Sequence, residues 1–377
     1  MDRLLKLLFC LIILFNLGSV ISKNKEKYFT SDYSKRYQSL EYIYNNSQYV
    51  SKNPIGWVPD EVINAYAGGA YVKGVSPILI APDTPPLGRY LIGISTILFN
   101  NENIIIPICG LISLVFMYLL GLQILRNKTL ALLAVALLSF EPIFLNQFAF
   151  VPLLDIMQLA FLLPAFYFFN KGVSKDGRKQ FLYFVLASIF LGAFVSTKFF
   201  ITGITVVAAW YLTLVLRKNK KAIILLTASL PFSLLILLLS YIKAFADDPN
   251  LKRFLGIQKW VFLYHKSQLI LPFSIWPLIL LNKWYVWYGD KPILSDFQWR
   301  ITWPVIFIGS LITIFLYFTK KISKKPEFEV LAIWTICYLL FFSFGQITSR
   351  YLIIYLPILY LITIFGLENF LLKRKHG

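Results

Sequence analysis

Along the chain, uninterrupted apolar runs alternate with short polar joints, and two long polar stretches break the rhythm. The runs cover roughly 4–21, 104–125, 129–148, 152–169, 180–197, 199–216, 222–241, 301–318, 330–345 and 351–371. Most are about 18 to 22 residues, the length an α-helix needs to cross the hydrocarbon core of a bilayer. The pattern therefore predicts an all-α polytopic membrane protein of about ten spans, formed as a single unit over 1–377 with no separate soluble domain. The first long stretch, 22–103, is rich in Tyr, Asn, Ser and Lys and holds one short apolar helix candidate at 87–99. The second, 242–300, carries an apolar piece at 269–281 and the aromatic cluster Trp284, Tyr285, Trp287 and Tyr288, a composition suited to a membrane interface. The run 4–21 is open to two readings, a retained first span or a secretory signal with small residues Gly18 and Ser19 after it.

Composition sharpens the class. Hydrophobic residues make up 58% and charged residues 15% of 377, and mean hydropathy is +0.68. An ordinary soluble domain carries about 25% charged residues and cannot enclose so much apolar surface in one core. Lys and Arg number 37 against 18 Asp and Glu. A net charge of +19 on a soluble protein would point to nucleic acid, but here the basic residues follow topology. With the N-terminus in the cytoplasm, Arg3, Lys6, the joints 126–128, 171–179, 217–221 and 320–325 and the tail 373–375 all fall inside, and they hold 19 of the 37. Both termini are then cytoplasmic and both long stretches face outward. Cys10, Cys109 and Cys337 lie within apolar runs without metal-ligand spacing, and the chain has only two histidines, His265 and His376. A histidine-based metal site or triad is not indicated.

Acidic residues are few enough for each position to inform. Asp60 and Glu61 are adjacent in the first long stretch, and Asp83 precedes Pro85-Pro86 and the short helix. Glu141 and Asp155 sit near the outward ends of neighbouring spans, where a carboxylate needs a partner and is a site candidate. Lys198 and Arg350 occupy outward turns, against the positive-inside trend. Carboxylates above the membrane with cations at its surface suit transfer of a group from a lipid phosphate to a hydroxyl. One carboxylate would take the acceptor proton, and the cations would stabilise the departing phosphate. Asp60 with Glu61 or Asp83 also leaves room for a divalent cation held by oxygen ligands.

The ordered motifs resemble the protein O-mannosyltransferase (dolichyl-phosphate-mannose-protein mannosyltransferase) family. They are Asp60-Glu61-Val62, Tyr66, Ala70-Tyr71, Lys73-Gly74 and Pro85-Pro86-Leu87-Gly88-Arg89-Tyr90 in the first long stretch. Phe140-Glu141-Pro142, Leu154-Asp155-Ile156 and Thr197-Lys198-Phe199 follow, then Ser274-Ile275-Trp276-Pro277-Leu278 and Ser349-Arg350-Tyr351-Leu352. The resemblance implies the C-type glycosyltransferase fold, a polyprenyl- or dolichyl-phosphate sugar donor and inverting transfer outside the cytoplasm, at a cell membrane or the endoplasmic reticulum. The acceptor would be a protein, lipid or glycan hydroxyl. It implies Asp60 as the catalytic carboxylate with Glu61 beside it. Lys198, Arg350 and Arg89 become candidates for the donor phosphate, with Asp83, Asp155, Glu141 and Trp276 as further candidates. The chain departs from the family at Thr84, where the family has His, and at Phe148-Ala149-Phe150, where it has Arg. Those departures keep a second reading open, a non-catalytic membrane subunit that binds a lipid-linked sugar. A transporter is a third, and the scarcity of mid-span charges weighs against it.

Overall fold

The computed structural model describes residues 2–267, 271–287, 289–322, 325–345 and 347–376, with side chains through Leu371. Tyr288 of the aromatic cluster, residues 269–270 of the apolar piece and residues 323–324 of the basic joint lie outside the described residues, and so do the side chains of the tail 373–375.

The fold is a helical bundle. Helix α1 (Asp2–Lys23) leads through a π-helical turn at Glu26–Thr30 into α2 (Tyr33–Asn45), α3 (Asp60–Val72) and α4 (Leu87–Phe99). The bundle proper continues with α5 (Ile105–Ile124), α6 (Lys128–Phe140), α7 (Pro142–Ala149), α8 (Asp155–Val173), α9 (Gly177–Val195), α10 (Thr202–Leu216), α11 (Lys220–Ser229) and α12 (Pro231–Ser240). The second long stretch folds as α13 (Ile242–Asp247), α14 (Leu251–Ser267), α15 (Ile275–Leu281) and a small antiparallel hairpin, β1 (Trp284–Tyr285) with β2 (Ile293–Leu294). Helices α16 (Thr302–Phe318) and α17 (Pro326–Ser343), a 3-10 turn at Ser349–Ile354 and α18 (Leu356–His376) complete it.

Among the described residues, six helical segments are long and apolar enough to cross a membrane: α1, α5, α8, α9, α11–α12 taken together, and α17. The bent pair α6–α7 makes a seventh if counted as one span. Its 58° bend falls at Glu141–Pro142, where proline lacks the N–H that would continue the helix and forces the preceding residue to extended geometry (Glu141 ψ 124°). The runs predicted at 199–216, 301–318 and 351–371 appear as shorter apolar helices, α10, α16 and α18.

Helix α8 is the central element. It is buried along most of its length, as a helix in the interior of a bundle is. Around it the core is aromatic. Trp210 stacks flat on Phe169 with ring centroids 5.0 Å apart, and Trp334 meets Phe166 edge-on at 5.3 Å.

The first long stretch is more ordered than its polar composition predicts. Tyr33, Tyr37, Tyr44 and Tyr66 interlock α2 with α3, with centroids 4.9–6.0 Å apart along the series. Helices α3 and α4 cross where Gly68 meets Gly93. A Cβ on Gly93 would collide with the Gly68 carbonyl oxygen and lie 2.5 Å from Val72 Cγ1. This contact sets the position of α3, whose first turn carries Asp60 and Glu61. Gly93→Ala should therefore destabilise the protein by about 1–3 kcal/mol, the usual range for overpacking. A lowered melting temperature in detergent checks this. Gly256→Ala, in open space on α14, serves as the clash-free control and should melt at or slightly above the wild-type temperature.

Candidate active site

At one end of the bundle a cavity of about 390 Å³ opens, within the range of small-molecule sites. Its walls come from stretches far apart in sequence. The N-terminus of α3 supplies Asp60 and Glu61, the approach to α4 supplies Asp83, the first turn of α4 supplies Arg89, and the N-terminus of α8 supplies Asp155. The α9–α10 turn supplies Lys198, and the 3-10 turn before α18 supplies Arg350 and Tyr351. Chain geometry explains this convergence. Antiparallel spans bring the α8 start and the α9 end to the same level, and the polar residues excluded from the apolar runs gather there. The acids at the starts of α3 and α8 also sit at the positive ends of helix dipoles.

Three acid–base pairs line the cavity. Arg350 Nη2 donates to Asp60 Oδ2 at 2.7 Å. Lys198 Nζ donates to Asp155 Oδ1 at 2.5 Å and lies 4.7 Å from the Tyr351 ring centroid. Arg89 Nη2 reaches Asp83 Oδ1 at 3.4 Å. The pairs differ in exposure. Arg350 and Asp60 keep 30% and 43% of their side-chain surface open, whereas Lys198 and Asp155 keep 12% and 3%. Asp60 and Arg350 therefore border the open volume, and Asp155 anchors Lys198 from behind.

Arg89 is committed to the protein. Its Nε donates to Asn64 Oδ1 at 3.1 Å, and its Nη1 donates to the Ala81 carbonyl. Asn64 in turn donates to the Pro152 carbonyl at 3.2 Å, which ties α3 to the approach to α8. His265 Nε2, on α14, lies 3.1 Å from the Asp83 carbonyl oxygen and closes one side of the cavity.

Charge proximity shifts two of these groups. Burial pushes the Asp60 carboxyl up, but the positive charges of Arg350, Lys198 and Arg89 outweigh it and hold it below the ordinary aspartate value. Burial pushes the Lys198 ammonium down, with Arg350 adding to the effect and Asp155 opposing it, and the net shift is downward.

Beside the main cavity a narrower pocket shares Asp155, Lys198 and Tyr351 and continues along Phe199, Phe342 and Ile354. Gln158 and Thr202 also stand in its wall.

Seven sequence candidates meet in the cavity: Asp60, Glu61, Asp83, Arg89, Asp155, Lys198 and Arg350. Glu141 and Trp276 are not brought there. Glu141 sits at the α6–α7 bend, where its carboxylate accepts from Thr302 Oγ1 at 2.8 Å, from Trp303 Nε1 at 3.0 Å and from the Tyr360 hydroxyl. Those three donors satisfy a buried carboxylate within the bundle. Trp276 Nε1 donates to Ser343 Oγ at 3.1 Å and its ring packs edge-on against Phe307. Sequence reasoning missed Asn64, Asp296, Gln298 and Thr348, which also line the cavity. Asn64 was findable, because it lies one helical turn after Asp60 on the same face. As for a divalent cation, Asp60 and Asp83 each face an arginine. Among the described residues, no group of three or more His, Cys, Asp and Glu side chains is placed to hold a metal.

The six or seven helical segments long and apolar enough to cross a membrane make this a multi-pass membrane protein, and its fold is ArnT-like. The crystal structure of ArnT from Cupriavidus metallidurans bound to undecaprenyl phosphate superposes with a TM-score of 0.62 at 16% sequence identity, over 82% of this chain and 56% of that chain. The chain thus spans a little over half the length of that structure. Residues 83–242 match the model of the dolichyl-phosphate-mannose-protein mannosyltransferase family, which bears out the resemblance read from the motifs. Asp60-Glu61 and the motifs after residue 242 lie outside the matched stretch. A comparison with curated protein sequences finds no match.

Proposed function

We propose that this protein is a membrane glycosyltransferase that moves a sugar from a polyprenyl- or dolichyl-phosphate carrier to an acceptor hydroxyl, by single displacement with inversion. The observation that carries this reading is the convergence of the Asp60–Arg350 and Asp155–Lys198 pairs in one cavity. A lipid phosphate needs cations at the membrane end of a cavity, and an attacking hydroxyl needs a carboxylate next to them.

In this mechanism Asp60 takes the proton of the acceptor hydroxyl while that oxygen bonds to the sugar's anomeric carbon. The bond from that carbon to the phosphate oxygen breaks, and its electron pair leaves with the polyprenyl phosphate. Lys198 supplies a point charge to the leaving phosphate. Arg350 spends one of its five N–H donors on Asp60 and has others to offer the phosphate. Glu61 adds a second carboxylate beside the reacting centre. Arg89 holds Asp83 and Asn64 in place. Asp155 keeps Lys198 aimed at the phosphate.

The topology proposed with this function counts ten crossings in one unit, the seven long segments with α6–α7 taken as one of them, together with α10, α16 and α18. Both termini are cytoplasmic, and the segments 22–103 and 242–300 shape the outer, active-site face. The basic joints of the sequence support that orientation.

The test is turnover. Purified protein in lipid is incubated with a panel of polyprenyl-phosphate sugars and acceptor-rich extracts, and release of polyprenyl phosphate is measured. Release with one sugar supports the reading, whereas binding without turnover favours the non-catalytic subunit. Because Asp60 is held below the ordinary carboxylate value, it stays ionised as pH falls. The acid limb of kcat/KM should accordingly lie below about pH 4, leaving the rate flat from about pH 5 to 7.

A further inference from the structure

The three pairs leave part of the cavity unexplained. Two further carboxylates line it, Glu61 and Asp296, and neither forms an ion pair among the described residues. In a chain of net charge +19, the ionisable Asp, Glu, Lys and Arg side chains on the cavity wall therefore favour acid. A cavity that served a phosphate alone would favour cations.

A second observation points to a ligand. Among the described residues Thr84 Oγ1, Gln298 Oε1 and Thr348 Oγ1 have no hydrogen-bond partner, and all three residues line the cavity. They are 7%, 7% and 5% exposed, so bulk water does not compensate them. An unpaired buried polar atom costs about 1–3 kcal/mol, and a protein rarely keeps three around one volume without a use for them.

The wall that carries Gln298 is built rigidly. Asp296 N donates to Asn282 Oδ1 at 2.7 Å, Gln298 N donates to Asp296 Oδ1 at 2.8 Å, and Trp299 Nε1 donates to the Ile279 carbonyl at 2.9 Å. Trp284 and Trp287 also line the cavity. Carboxylates and an amide oxygen accept hydrogen bonds, threonines give or accept them, and indole rings supply flat apolar surface. Together they suit the hydroxyls and C–H face of a pyranose.

We propose that the 296–298 turn, with Thr84 and Thr348, forms a subsite that reads the hydroxyls of a sugar ring and excludes acidic sugars. This rests on the lipid-phosphate reading above and adds the class of sugar. The ring is either the one carried by the donor or the one offered by a saccharide acceptor, and the experiment separates the two.

Full-length protein in nanodiscs is titrated with bare polyprenyl phosphate, with polyprenyl-phosphate hexose and with polyprenyl-phosphate uronate. Wild type is compared with Gln298→Leu, Thr348→Val and Asp296→Asn, each checked for an unchanged melting temperature. Wild type should bind the hexose carrier more tightly than the bare or uronate carrier. Gln298→Leu and Thr348→Val should each remove about three- to ten-fold of that gain, the worth of one hydrogen bond, and leave bare-carrier affinity unchanged. Asp296→Asn should relax the rejection of the uronate. If donor affinities stay unchanged but KM for an oligosaccharide acceptor rises by a similar factor, the subsite belongs to the acceptor and the assignment stands. Wild-type values for both quantities in all three folded variants overturn it; where the donor affinities are the ones that change, equal binding of hexose and uronate carriers also overturns it. Failure of wild type to bind any carrier overturns the lipid-phosphate reading itself, and the subsite with it.

Discussion

Asp60→Asn should lower sugar transfer by about 10²- to 10⁴-fold, the contribution of a positioned general base. The substitution keeps the shape of the side chain and removes its charge. Its partner Arg350 borders the open cavity, so the change strands no deeply buried cation. Melting temperature should therefore hold, and affinity for bare polyprenyl phosphate should hold or rise, because Arg350 is released toward the phosphate. Transfer rate and carrier binding measured on the same preparation check this. Full transfer activity in the folded variant would remove Asp60 from the reaction and turn attention to Glu61 beside it.

The two lysine and arginine sites should respond differently although both are assigned to the phosphate. Lys198→Met leaves Asp155 charged, buried and without its partner, which costs about 3–5 kcal/mol in comparable buried pairs. Loss of stability and loss of donor affinity should appear together in this variant. Adding Asp155→Asn removes the stranded charge, so the double variant should recover much of the stability and none of the donor affinity. Arg350→Gln breaks a more exposed pair, for which the stability term is about 0–1 kcal/mol. It should melt near the wild-type temperature while the donor KM rises at least about ten-fold, as expected when a charge-assisted hydrogen bond of about 1.5–3 kcal/mol is lost. Equal donor KM in wild type and Arg350→Gln would count against the phosphate role. Thermal melting in detergent and donor titrations provide both readouts.

The residues differ in how legible they were. The short helix read at 87–99 is α4, because Pro85-Pro86 marks its start and Leu87, Leu91, Ile94 and Leu98 recur at helical spacing. Helices α2 and α3 were not read from their polar, tyrosine-rich stretch, because their order comes from tyrosines that meet only once the two helices pack. Pro142 stood in plain view, yet the run 129–148 reads as one continuous span, since hydropathy reports burial in lipid and not direction. Among site residues, Asp60, Lys198, Asp155 and Arg350 stood out because charge is scarce in an apolar chain. Asp296 and Gln298 did not, because in a polar stretch they resemble their neighbours.

By itself the sequence determined the membrane character, the helical class and a short set of charged residues, since those follow from local composition and the energetics of lipid. The tertiary structure decided which acid meets which base. Asp60 and Arg350 are 290 positions apart, and no local pattern joins them until α3 and the turn before α18 reach the same cavity. It also separated Glu141 from the site, because donors at Thr302, Trp303 and Tyr360 surround it inside the bundle. A charge's role depends on what neutralises it, and that partner is supplied by packing between distant segments.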